Sequence, residues 1–276
     1  MPSASISNTT PFTTYSMTVQ ARNAIGYGPE SPPIQSQFNY NKASGGVEQE
    51  FAEGTYNGEP GTWKTHTFES SGTLDVILNV YPFHVLVVGA GGAGGTCNTS
   101  VHGPVNAPGG GAGRVVDIPE MEIPLGNKPV VVGDPATNDK DSVFNGQIAP
   151  GGGLGGAAGG GGGGVGGSGG GGGGSHGNGG PGGAANPGSP VEGLGTAGGN
   201  AGYQGMQHAH GGGALSVGPN GGVTLNISGS DEIYGKGGQV SASGGNPGGY
   251  GAGGNGQHNA RGVGGKGVVI IAYRTG

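Results

Sequence analysis

Seven histidines, one cysteine and sixteen acidic residues are the side chains of this 276-residue chain with the chemistry to react or to ligate. His208 and His210 stand two apart, the spacing at which two imidazoles share one face of a strand. No third ligand is close to them in sequence, and a closed zinc site needs four. Asp134, Asp139 and Asp141 cluster in GDPATNDKD, but the spacing and closing glutamate of a calcium loop are missing, so a polar turn is expected there. Gly89, Gly91 and Gly94 follow the apolar run HVLVV and satisfy G-x-G-x-x-G. A dinucleotide site also needs a helix to receive the pyrophosphate and an acidic residue about 20 positions on. Residues 96–108 are loop-forming, and with 75 glycines the pattern arises by chance. Cys97 has no partner for an internal disulfide and reads as a small buried or half-exposed thiol. No Ser/His/Asp set has positional support. The sequons at Asn98 and Asn226 read as accidental, because the first residues, MPSASISNTTPF, have neither the basic nor the apolar region of a signal peptide. The residues imply no catalysis, no cofactor and no metal.

They do suit recognition. Tyr203, Gln204, Met206, Gln207, His208 and His210 interrupt the glycine runs, as do Asn246, Tyr250, Asn255, Gln257, His258 and Arg261. A ring can stack on a sugar face while amides bond the hydroxyls. The expected receptor-contact set is therefore Tyr203, Gln204, Gln207, His208, His210, Tyr250, Gln257, His258 and Arg261. The plainer expectation is that these residues cap and separate glycine segments, with tyrosine rings covering the edges.

The element that must position them is the run from Gly151 to Gly183. It has almost no side chains to bury, and glycine loses more freedom on ordering than any other residue. It forms neither α-helix nor ordinary strand. Either it is flexible coil, or it forms left-handed polyproline-II-type helices bonded to one another through their backbones. Ordering costs about 1–2 kcal/mol per residue, so a lone helix would not persist. A bundle linked by N–H···O bonds of about 0.5–1.5 kcal/mol each would. The expectation is a packed polyglycine bundle.

Composition narrows the rest. Only 31% of residues are hydrophobic and 9% charged, so the core is small and backbone hydrogen bonding carries much of the fold. Collagen is excluded, because runs such as Gly159 to Gly164 break any Gly-X-Y period. A net charge of −6 without a basic cluster argues against nucleic acid. No apolar run approaches the roughly 18 residues of a membrane span.

Strand patterns punctuated by Gly and Pro fall at 63–68, 74–80, 84–88, 114–118, 129–132 and 142–148, and GVVIIAYR at 267–274 reads as a buried closing strand. Residues 37–62 read as a polar linker. The fold class expected is mostly β: a small β-sandwich with a glycine-rich region, about 150–265, inserted before its last strand. Near the start, Tyr15, Met17, Val19 and Ala21 alternate with polar residues as in a half-buried strand.

Two resemblances follow. Residues 1–36 resemble the last third of a fibronectin type III domain: Tyr15 stands at the tyrosine-corner position, and Asn23, Gly26, Gly28, Glu30 and Ser31 match the family's hairpin. The earlier strands are absent from that stretch, which leaves a fragment, a sandwich completed by another chain, or a reused hairpin. Residues 63–276, through HTFESSGTLDV, HVLVVGAGGAGG, GGGAGRVV, PVVVGDPATNDKDSVFNGQIAPGGG and GKGVVIIAY, resemble the glycine-rich domain of bacteriophage tail proteins and adhesins. That resemblance implies packed polyglycine helices whose connecting loops meet the host. It implies a virion protein that binds other tail proteins through its N-terminal segment and a host glycan or outer protein through its loops, and it is compatible with a homo-oligomer. Two rivals stand beside the adhesin. One is a purely structural tail or filament subunit. The other is an ice-binding protein, which the Tyr- and His-bearing loops disfavour.

Overall fold

The computed structural model describes residues 14–22, 24–37, 40–52, 54–97, 107–157, 160–175, 178–186, 193–201, 209–241, 248–258 and 260–275. Among them all regular structure is strand, with no helix. The N-terminal strands are β1 (Thr14–Met17), β2 (Gln20–Arg22), β3 (Tyr27–Glu30) and β4 (Ile34–Gln37). They nest as one antiparallel hairpin, β2 against β3 and β1 against β4. The alternating stretch is thus two strands, interrupted where the Val19 amide donates to Ser31 Oγ at 2.9 Å.

Then come β5 (Lys42–Ser44), β6 (Val47–Phe51), β7 (Trp63–Phe68), β8 (Gly72–Leu78) and β9 (Phe83–Val88). After the two-residue β10 (Thr96–Cys97) follow β11 (Val115–Met121), β12 (Gly126–Val131), β13 (Ser142–Phe144) and β14 (Gln147–Ala149). Inside the glycine-rich region lie β15 (Gly174–Ser175), β16 (Asn178–Gly179), β17 (Val223–Leu225), β18 (Glu232–Tyr234) and β19 (Gln257–His258), and β20 (Val268–Arg274) closes the chain.

Two five-stranded sheets form the body, in the orders β11-β9-β20-β7-β6 and β14-β13-β12-β8-β5. Leu74, Val76, Val130 and Phe144 of one lie in a single buried cluster with Phe83, Val85, Val87, Val269 and Ile271 of the other. Each such side chain contributes about 1.5–3 kcal/mol of burial, enough for a small core. The outer face of the β9–β20 sheet is covered as well. There Leu86, Val88, Val268 and Ile270 pack under Ile227, Tyr234 and Tyr56. The closing strand lies centrally in its sheet, between β9 and β7, so it is apolar on both faces.

The stretch read as a linker is not one. Residues 42–51 supply an edge strand to each sheet, joined by Gly45 and Gly46 at φ 120° and 66°. Their short strands and polar, exposed faces carry no apolar alternation to betray them. The single strand expected at 142–148 is a hairpin, turned by Asn145 and Gly146, both at positive φ.

The glycine runs bond to one another in a repeating way. The amides of Gly89, Gly92 and Gly95 donate to the carbonyls of Arg114, Gly111 and Pro108 at 3.0, 2.9 and 2.8 Å. Those of Gly91 and Gly94 turn to Gly265 and Gly262. On the next run Gly109 and Ala112 donate to Ala209 and Gly212, Gly110 and Gly113 to Gly254 and Gly251, and Gly111 and Arg114 to Gly153 and Pro150. Each neighbour is met every third residue. The pattern continues through Ser168 and Gly171, which donate to Ala112 and Gly109, and through Gly169 and Gly172, which donate to Thr196 and Gly199. The lattice therefore begins well before residue 150, drawing in the runs 89–95 and 107–114.

Contact, not backbone torsion, requires glycine here. A Cβ on Gly113 would lie 1.9 Å from the Gly89 carbonyl oxygen, and one on Gly211 would lie 1.8 Å from that of Gly110. Arg114, 4% exposed, threads this packing and donates from Nη1 to the carbonyls of Gly167 and Gly195, both at 3.2 Å.

Candidate functional site

The lattice has two ends, set by the strands that feed it. At the near end β9 passes into Gly89, Arg114 leads into β11, Ala149 hands over to Gly151, and Gly267 leads into β20. Seven extended residues on from Gly89, at about 3 Å each, the far end lies about 20 Å away. There Thr96 and Cys97 pair with Gln257 and His258, Ala107 bridges Ser241, and Gly173 bonds Gly161. Ala201 and Ala209, which flank residues 202–208, are held there too, by the carbonyls of Gly180 and Gly172. The other end of the body faces away from this. Asn41 caps the turn between β8 and β9, accepting from the amides of Val80 and Tyr81 at 2.6 and 2.9 Å. The N-terminal strands join the body beside that turn.

The expected contact residues separate on this frame. Tyr203, Gln204, Gln207 and His208 lie outside the described residues, between Ala201 and Ala209. Gln257 and His258 lie at the far end, in register with Thr96 and Cys97. His210 follows Ala209 into the lattice. Its Nδ1 accepts from the Val240 amide at 3.0 Å and its carbonyl from the Gly199 amide at 3.1 Å. With Nδ1 accepting, the proton of a neutral ring sits on Nε2. Asn200 and Asn255 do similar work, their side-chain oxygens accepting from Gly182 and Gln239 amides at 2.8 and 2.9 Å. These three side chains cap donors that the glycine period leaves over.

Arg261 is exposed, within electrostatic reach of Lys140. Burial pushes the Lys140 amine below the usual lysine range, and the Arg261 charge adds to that. Tyr250 goes the other way, to the near end, where the Gly235 amide donates to its carbonyl at 3.0 Å. Its ring stacks on Tyr234 at 6.1 Å between centroids. Its hydroxyl donates to Glu69, and burial first, then this carboxylate, raise its pKa. Tyr234, fully buried, donates to Glu232 Oε2 at 2.8 Å. Thus Tyr250 and Gln257, neighbours in the sequence grouping, mark opposite ends of one run. Glu69, Tyr250 and the β18 pair Glu232 and Tyr234 were not legible as a group, because three separate parts of the chain supply them.

The remaining motifs resolve simply. The amides of Gly89, Gly91 and Gly94 are all committed to carbonyls of other runs, so none is left for a phosphate. Asp134 accepts from the Ala136 amide at 2.9 Å inside a turn, and Asp141 accepts from the Gly151 amide at 2.8 Å, across the β13–β14 hairpin at the start of the glycine run. Among the described residues no group of three or more His, Cys, Asp or Glu is placed to hold a metal ion, and no helix is long and apolar enough to cross a membrane. No protein-family model and no curated protein matches the chain.

Proposed function

We propose that this chain is a non-catalytic tail or tail-fibre component of a bacteriophage, and that its glycine-rich part is a receptor-binding adhesin. The observation that carries the reading is the separation of the two ends. The N-terminal strands join at one extremity of the body, while runs flanking 98–106, 202–208 and 259 end together at the other. A rigid spacer with attachment at its base and loops at its tip is what adhesion requires. The resemblance of residues 63–276 to phage tail glycine-rich domains adds the biological setting: the virion, with other tail proteins at the base and a host glycan or outer protein at the tip.

In this reading the glycine runs are polyproline-II-type helices, and the two sheets form a β-sandwich that anchors them. The three-residue period of inter-run bonds supports it, since such a helix has three residues per turn and no internal hydrogen bonds. Slow amide exchange across Gly151 to Gly183 is expected, and exchange at coil rates would exclude the bundle.

The functional test is adsorption of labelled protein to a panel of bacterial cells, with glycan-stripped cells alongside. Saturable binding to a narrow set is expected, lost when Tyr203 and His208 are replaced by alanine. A purely structural subunit would bind no cell and would tolerate both substitutions. That second reading draws on His210 and Tyr250, both tied into the protein's own hydrogen bonds.

A further inference from the structure

On the flank of the body, away from the far-end loops, a groove of about 270 Å³ lies between edge strand β6 and the turn before β18. Val47, Gln49 and Ile270 of the sheet form one part of its lining, and Glu69, Glu232 and Tyr250 another. Each carboxylate has one oxygen taken by a tyrosine hydroxyl, Tyr250 on Glu69 and Tyr234 on Glu232. Among the described residues the second oxygen of each takes no hydrogen bond, and neither carboxylate forms an ion pair. No lysine or arginine lines the cavity. Lys236 lines a neighbouring cavity, which Glu232 and Tyr250 line as well, without forming an ion pair with Glu232.

We infer that this groove binds a small organic ammonium group, held between Glu69 and Glu232 against the Tyr250 ring. Two carboxylates without a resident cation favour a positive guest, and a charge-assisted bond to the open oxygen of each is stronger than a bond to a neutral donor. An aromatic face adds attraction for ammonium. The stacked pair Tyr234–Tyr250 fixes that face, because both hydroxyls are already tethered. The shared chemistry is the ammonium; an amino sugar and a free polyamine both carry it. The inference stands apart from the adhesin reading, since none of the far-end loops contributes.

Calorimetric titration of the full chain with glucosamine, N-acetylglucosamine and putrescine tests it. Glucosamine, putrescine or both are expected to bind, and N-acetylglucosamine, which lacks the charge, is expected to bind at least about tenfold more weakly than the better of the two. Preference between the first two identifies an amino-sugar or a polyamine source. Glu69→Gln with Glu232→Gln is expected to weaken binding at least about tenfold while leaving the melting temperature close to wild type, since the amide oxygen still accepts from tyrosine. Gln49→Arg, on an exposed edge strand, provides a second variant that supplies a resident cation and abolishes binding. No binding by either ammonium compound, equal binding of N-acetylglucosamine, or undiminished binding by both variants would overturn the inference.

Discussion

At the scale of the residue, glycine acts here through what it lacks. A Cβ on Gly110 would lie 2.3 Å from the Gly92 carbonyl oxygen and 2.6 Å from that of Ala93, both of them backbone atoms, so nothing flexible can give way. Gly110→Ala is expected to cost about 3 kcal/mol or more in denaturant unfolding. Gly162 is a control in the same region: its added Cβ would meet nothing closer than 3.5 Å. Gly162→Ala is expected to be neutral or to stabilise by about 0.4–1 kcal/mol through the unfolded state. Equal losses at both positions would show that glycine is needed for flexibility rather than contact. His66 acts through what it has. Fully buried, it bonds the Gly45 carbonyl through Nδ1 at 2.6 Å and the Tyr273 hydroxyl through Nε2 at 2.9 Å. The carbonyl fixes the proton on Nδ1, so Tyr273 donates to Nε2 and accepts from the Ala43 amide at 3.0 Å. Burial pushes the imidazole pKa below 6.5, against the pull of Gly45 and Glu48. The unfolded chain therefore takes the proton more readily. This contribution to stability is complete above about pH 6.5 and falls as pH drops towards the depressed folded value. The denaturation midpoint should fall between pH 7.5 and 5.5, and fall less in His66→Gln.

At the scale of the element, the sequence announced strands where apolar residues recur and failed where backbone alone decides. Trp63–Phe68, Phe83–Val88 and Val268–Arg274 were legible because each buries a run or an alternation of large side chains. β5 and β6 were not, since Lys42–Ser44 buries one alanine and Val47–Phe51 is an exposed edge. The loop residues were legible as distinctive but not as a group. Which end of a glycine run a residue reaches depends on the three-residue bonding register, and no side-chain pattern records it. The β17–β18 hairpin is attached to the sheet in a way that can be measured. Tyr56 reaches it from the loop after β6, donating to the buried Ile227 carbonyl at 2.8 Å and stacking on Trp63 at 4.8 Å. Tyr56→Phe keeps the stack and leaves that carbonyl without its donor, at an expected cost of about 1–3 kcal/mol. Exchange of the β17–β18 amides should rise in this variant before that of β9 and β20. A uniform rise across the sheet would mean that the hairpin and the core open together.

At the scale of the whole molecule, a small two-sheet body holds one end of a glycine lattice, and the runs flanking 98–106, 202–208 and 259 end together at the other. Hydrophobic burial secures the body, and backbone hydrogen bonds secure the lattice. That division explains how a chain with 75 glycines and 31% hydrophobic residues can be ordered. It also explains why length is cheap for such a protein, since a run can extend by three residues and add one more bond to each neighbour. The proposed adhesin function depends on the loops and not on the lattice beneath them. The most direct measurement compares adsorption to host cells of the wild-type chain and of a variant with residues 202–208 replaced by Gly-Ser sequence. The account predicts an unchanged melting temperature and loss of saturable binding. Undiminished binding by a folded variant, or no binding by the wild type to any cell tested, would contradict it.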